Sequence, residues 1–212
     1  MNETDLKKYR IILASGSARR REIFESHGLQ PVIKPMDVDE TLPDGIAPQD
    51  AVMYLALKKG LACEESLDEG EHALIVSADT IVYARDITTG EWTIMGKPKD
   101  NDDAWRMLKS ITADRHKVMT GVSIISHFAQ GDNPISVDSV KRVFYDSTDV
   151  YVNPMTDDEI RTYIDSGEPF GKAGGYAIQM EFGKNIDHIE GDYENVVGFP
   201  FSHFGKEINM VY

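Results

Sequence analysis

Tyr9-Arg10-Ile11-Ile12-Leu13-Ala14-Ser15-Gly16-Ser17-Ala18-Arg19-Arg20-Arg21 passes from β-prone residues through a glycine break into a helix start. Tyr9 to Ser15 reads as a short buried strand. Ser17 can cap the following helix, which carries Ile23, Phe24 and His27 on one face. The turn also carries chemistry. Backbone N–H groups, the positive end of a helix dipole, two hydroxyls and three guanidinium groups all favour a phosphate. Basic residues in a first turn oppose the dipole, so this placement costs stability unless an anion compensates. A capped helix with a solvated basic first turn is the plainer alternative. The stretch is not a P-loop, because the Gly-Lys-Ser/Thr ending is missing.

Working outward, Gln30 to Met36 reads as a second strand, followed by an acidic loop from Asp37 to Asp50 with two prolines. A helix then runs through Leu61. Ala73 to Tyr83 reads as a central strand, and Thr88-Thr89-Gly90-Glu91 as a hairpin turn returning toward Lys97. Ala104, Met107, Leu108 and Ile111 fall at i, i+3, i+4 and i+7, the stripe of an amphipathic helix. His116 to Ser126 and Val137 to Val152 are strand-like, joined by a polar loop around Gly131-Asp132-Asn133-Pro134. Thr156 and Glu159 have the spacing of a capping box, with Ile160, Tyr163 and Ile164 continuing that helix inward. Strands and helices alternate without a strict β-α-β rhythm, which makes the fold class mixed α/β.

The chain has 212 residues, 41% hydrophobic and 27% charged, enough for one sizeable core or two small lobes and not for a multidomain array. Its net charge of −14 repels a nucleic-acid backbone and suits anionic lipid surfaces no better. A single cysteine, Cys63, excludes an internal disulfide and a cysteine-rich zinc site, and none of the six histidines has zinc-ligand spacing. No apolar run reaches the roughly 18–20 residues of a membrane span. The N-terminal residues are too polar for a secretory signal and too acidic for a transit peptide. A soluble cytoplasmic protein is expected.

Two further features could carry chemistry. Ser77-Ala78-Asp79-Thr80 lies in the most apolar strand, where a carboxylate is costly unless paired or metal-bound. Gly96-Lys97-Pro98 and Gly171-Lys172-Ala173-Gly174-Gly175 place lysines where a ligand can approach the backbone closely. A strongly acidic chain can hold a triphosphate only by gathering its few cations at one place, usually with a divalent metal.

Seven stretches in order resemble the Maf family of nucleoside triphosphate pyrophosphatases. Leu13-Ala14-Ser15-Gly16-Ser17-Ala18-Arg19-Arg20 is similar to its L-A-S-x-S-P-R-R. Val38-Asp39-Glu40 matches V-D-E, Leu55-Ala56 with Lys59 matches L-A-x-x-K, and Ser77 to Thr80 matches (G/S)-A-D-T. Gly96-Lys97-Pro98, Lys172-Ala173-Gly174-Gly175-Tyr176-Ala177-Ile178-Gln179, and the stretch from Gly191 to Pro200 complete the set. Ala18 replaces a proline, Gly171 an aspartate, Ala177 a glycine, and Met180 stands where glycine is usual. The segment Asp86 to Trp92 is longer than the compact bacterial hairpin, and the stretch Val196 to Phe204 looks more like eukaryotic members.

The resemblance implies one Maf-like domain over residues 1–212, of Maf/ITPase-like architecture. Its features would be an elongated mixed sheet flanked by helices, two lobes with the site in a cleft, and a homodimer. It implies Asp79 as proton acceptor for the attacking water, and Glu40 with Asp79 as ligands of Mg²⁺ or Mn²⁺. Ser17, Arg20, Lys59, Lys97 and Lys172 would line the phosphate pocket. Only the family spacing selects Lys59 over Lys58. Arg19, Thr80 and Gln179 match the branch acting on dTTP and UTP, with modified pyrimidine nucleotides as further substrates in a house-cleaning role. The alternatives are a nucleotide-binding regulator of cell division without turnover, and a pyrophosphatase for non-standard purines or 7-methyl-GTP. His116 matches a family histidine, for which a structural hydrogen bond is the expected role.

Overall fold

Seven strands form one mixed sheet in the computed structural model, which describes residues 6–68, 70–129 and 137–210. The strands are β1 (Ile11–Leu13), β2 (Val32–Ile33), β3 (Ala73–Arg85), β4 (Trp92–Met95), β5 (Arg115–Ala129), β6 (Val137–Val152) and β7 (Ile186–Glu190). Their order is β2-β1-β3-β5-β6-β7, with β4 paired to β3 off that path. β1 runs parallel to β2 and β3, whereas β3–β4 and β6–β7 are antiparallel. The fold is therefore mixed α/β, as the alternation of elements implied. The polar loop around Gly131 to Pro134 lies outside the described residues.

Within Met1–Asp79, Thr120–Asp146 and Gly198–Tyr212 the described residues build one compact unit. The strand read from Tyr9 to Ser15 shortens to β1, although Leu74 N–H still donates to Arg10 O and Ala14 N–H to Val76 O. The second strand shrinks to two residues because Pro31 and Pro35 flank it and bring no N–H to the ladder. Helix α1 (Ala18–Ser26) is capped by Ser17 and buries Ile23 and Phe24. Helix α2 (Pro48–Glu65) starts at a proline, well placed for a first turn. It continues a turn beyond Leu61, so that Cys63 can reach the apolar cluster of Ile12, Ala14, Ile75 and Ile125. Burial there raises the Cys63 thiol pKa, in keeping with a structural role.

Thr80–Met119 and Ser147–Val197 form the second unit. Its core gathers Val82, Met95, Leu108, Val118, Val150 and Phe182, among others. Helix α3 (Asn101–Ile111) buries the predicted stripe of Ala104, Met107, Leu108 and Ile111, and Asp100 caps it. Helix α4 (Asp157–Asp165) has both hydrogen bonds of the Thr156–Glu159 capping box. The long β3–β4 connection is ordered by Asp86, whose carboxylate accepts from Thr88 and Thr89 N–H and pairs with Arg106. Among the described residues no helix is long and apolar enough to cross a membrane.

Candidate active site

Asp79 is the last residue of β3 in the first unit, and its carboxylate accepts a hydrogen bond from Lys59 Nζ at 2.6 Å. The same ammonium lies 2.6 Å from Glu40 Oε1. Lys59 reaches Asp79 because α2 packs very closely on the sheet. A Cβ added to Gly60 would stand 2.9 Å from Ser77 Oγ and 3.1 Å from Ser123 Oγ. Ser77 O–H also donates to the Ala56 carbonyl, pinning the helix. The Lys59 and Asp79 side chains are 12% and 14% exposed, whereas Glu40 is half exposed. The cost of placing a carboxylate in an apolar strand is thus offset by pairing. Lys58, which spacing could not distinguish from Lys59, turns away and donates to the Asp39 carbonyl.

The turn before α1 contributes the second cation. Ser17 Oγ accepts from Arg20 N–H at 3.5 Å as the helix cap. Arg20 itself donates from Nε to the Gly198 carbonyl at 2.9 Å and from Nη1 to Ser15 Oγ at 3.0 Å. Its guanidinium plane is therefore fixed on two sides. Burial lowers the Arg20 pKa from its ordinary value, and Asp79 opposes that shift more strongly than Glu40 does. Both carboxylates thus lie within electrostatic reach of it. Burial also lowers the pKa of Arg19, against the attraction of Glu22.

Glu40 and Asp79 converge on one positive charge, the arrangement a divalent cation requires. Among the described residues no group of three or more His, Cys, Asp or Glu side chains could hold a metal. Two carboxylates still suit Mg²⁺ or Mn²⁺, which commonly complete their octahedron with waters and substrate phosphates. The donor set therefore fits a metal that arrives with a phosphorylated ligand, and does not fit a resident structural ion.

Thr80, Lys97, Lys172 and Gln179 belong to the second unit. Thr80 follows Asp79 on β3, and Lys97 is exposed after β4. Lys172 is held by its own turn, its backbone N–H donating to Pro169 O and its Nζ to the Glu168 carbonyl. Gly174 ties the two lysine loops together through its N–H, which donates to Gly96 O at 3.0 Å. Only glycine suits it, with φ +65° and a would-be Cβ 2.6 Å from Val82 Cγ2. Gln179 is exposed, in a loop closed so tightly that a Cβ on Gly183 would lie 2.1 Å from Ile178 O. Beside it, Met180 is 49% exposed.

His116 anchors the segment after Lys172, with Nε2 2.7 Å from the Tyr176 hydroxyl. Its Nδ1 is buried without a hydrogen-bond partner. Burial lowers the imidazole pKa from 6.5 to about 3, with Asp149 opposing only in part. The unfolded chain therefore binds this proton from about pH 6.5 downward while the folded chain does not. Stability is complete above that value and falls as pH drops toward 3, by about 1.4 kcal/mol per pH unit. Urea denaturation between pH 6.5 and 5 should show the wild type losing about 2 kcal/mol more than His116→Gln. Equal losses would mean that His116 takes up its proton in the folded protein.

A family model described as Maf-like protein matches residues 10–211. The chain belongs to the Maf-like family. A dTTP/UTP pyrophosphatase of Caldicellulosiruptor saccharolyticus is 40% identical over 194 residues, covering 90% of this chain and 89% of its own. A dTTP/UTP pyrophosphatase of Bacillus cereus is 39% identical over 201 residues, covering 95% of this chain and 89% of its own. The solved structure of the Staphylococcus aureus Ham1 protein aligns with 96% of this chain and 100% of its own, at 12% identity and a TM-score of 0.47.

Within this Maf-like chain the first unit brings together Ser17, Arg20, Glu40, Lys59 and Asp79, with Arg19 beside Arg20. The second ties the Lys97 and Lys172 loops to one another. One residue of the turn takes a different role from the one its sequence suggested, and one contributor escaped sequence reasoning. Ser15, one of the two hydroxyls read as favouring a phosphate, is buried and accepts from Arg20, so it orients that arginine. The Gly198 carbonyl does the same, and a backbone acceptor has no residue-type signature. The Gly-Phe-Pro-Phe run at 198–201 was the available signal, since such a segment turns sharply and buries its rings.

Proposed function

We propose that this chain is a nucleoside triphosphate pyrophosphatase that converts dTTP and UTP to the monophosphate and pyrophosphate. The observation that carries the reading is the Glu40–Lys59–Asp79 cluster with Arg20 held beside it. It sets a proton-accepting carboxylate among fixed cations in an otherwise acidic chain. The names of relatives about 40% identical over most of the chain support the choice of reaction.

Asp79 would accept the proton of a water attacking the α-phosphorus, and the electron pair would leave with the β-phosphate oxygen as pyrophosphate. Arg20 and Lys59 would hold the negative oxygens, their hydrogen-bonded positions demanding little reorganisation during reaction. By family position Lys97 and Lys172 would contact phosphate, while Arg19, Thr80 and Gln179 would select the pyrimidine. Glu40 and Asp79 would hold Mg²⁺ or Mn²⁺, which when bound polarises phosphoryl oxygens as a Lewis acid. Modified pyrimidine triphosphates, a cytoplasmic location and a homodimeric state belong to the same proposal.

The test is a panel of dTTP, UTP, the purine triphosphates and 7-methyl-GTP, assayed for pyrophosphate with Mg²⁺ and with Mn²⁺. Pyrophosphate should appear fastest from dTTP and UTP, and ¹⁸O from labelled water should enter the monophosphate. Orthophosphate with a nucleoside diphosphate would refute the bond assignment. Tight nucleotide binding with no product would favour the regulator instead.

A further inference from the structure

Lys59 does more than a phosphate-binding lysine needs to do. Its Nζ stands 2.6 Å from a Glu40 oxygen and 2.6 Å from an Asp79 oxygen, at the point where the two carboxylates converge. A divalent cation shared by those carboxylates and the ammonium cannot occupy that point together, because like charges at contact distance repel strongly. Lys59 is also only 12% exposed, so leaving the carboxylates strands its charge unless another anion receives it. Lys58 cannot take its place, being engaged with Asp39.

We infer that Lys59 is an internal counter-cation that keeps divalent metal out of the Glu40–Asp79 pair until a triphosphate draws the ammonium away. The inference rests on the proposed function, since the triphosphate of that reaction supplies the receiving anion. Metal and triphosphate then bind with positive coupling, and the coupling is reciprocal. Free metal alone binds weakly, and the two carboxylates stay oriented while they wait.

The test is Mn²⁺ binding to the full chain without nucleotide, read from the electron paramagnetic resonance of free Mn²⁺. Lys59→Met removes one positive charge from contact with the pair and should tighten Mn²⁺ binding at least about tenfold. Lys59→Arg keeps the charge and should bind as weakly as the wild type. Glu40→Gln added to Lys59→Met should cancel the gain, which separates this pair from the other carboxylates of a chain at −14. Circular dichroism checks folding, and Lys59→Gln replaces Lys59→Met if the latter is unfolded. Unchanged or weaker Mn²⁺ binding by the folded neutral variant overturns the inference, as does a gain that survives Glu40→Gln. Pyrophosphate release by the wild type is measured separately. Its absence refutes the proposed function, whereas release combined with an unchanged Mn²⁺ affinity refutes only the role given to Lys59.

Discussion

Under the proposed reaction, replacing Asp79 with asparagine should lower kcat on dTTP and UTP at least about 100-fold, the loss expected when a general base is removed. The amide keeps the size of the carboxylate but cannot accept a proton at neutral pH. Stability should barely change, and the geometry says why. Lys59 retains Glu40 at 2.6 Å after the substitution, so its ammonium is not orphaned in a partly buried position. Steady-state pyrophosphate release and thermal melting, measured on the same preparation, check both halves. A variant with near-normal kcat would move the base elsewhere in the cluster, and Glu40 would be the next carboxylate to replace. A variant that melts far below the wild type would mean that Asp79 holds α2 to the sheet rather than serving turnover.

Gly121→Ala should cost about 3 kcal/mol or more, at the upper end of overpacking penalties. The new Cβ would stand 2.3 Å from the carbonyl carbon and oxygen of Val52 and 2.6 Å from Met53 N. Those are backbone atoms of α2, which cannot rotate away as a side chain could. The helix would have to lift from β5, and Lys59 lies on that helix. Activity should therefore fall together with the urea midpoint. Gly205→Ala is the internal comparison, because nothing lies within 4 Å of its added Cβ in α6 (Phe201–Glu207). It should stabilise by about 0.5–1 kcal/mol through helix propensity. If Gly121→Ala melted like the wild type, the close approach of helix and sheet would be wrong.

What the sequence discloses depends on whether the cause is local. The α4 capping box and the apolar stripe of α3 were legible because each is written within one or two turns. β2 was read too long because apolar content outweighed the two prolines that bound its pairing. The residues from 176 onward carried family motifs but no periodicity, and β7 and α5 (Tyr193–Val197) went unread there. β7 is an edge strand with only intermediate or exposed positions, so it shows no buried face to detect. At the candidate site, Lys59 could be chosen over Lys58 only through the resemblance. Both fall on plausible helix faces, and the deciding partner, Asp79, is twenty positions away on a different element. The buried His116–Tyr176 pair was half legible, since a histidine seeking a hydrogen bond was expected and its partner was not.

Arg20 and the Gly198 carbonyl that fixes it are 178 positions apart. The same long connection places Phe24 among Phe199, Phe201 and Phe204, with ring centroids 4.8 to 5.8 Å apart. On the ribosome, helix α1 is made early yet must wait for these three rings before its apolar face can be covered. Arg20 lacks its Gly198 acceptor for as long. During synthesis Phe24 therefore lacks these three ring contacts until the last part of the chain is made, because contacts of such wide separation form late. A chain truncated before residue 198 would contain Asp79, Glu40 and Lys59 and still lack the carbonyl that holds Arg20 Nε.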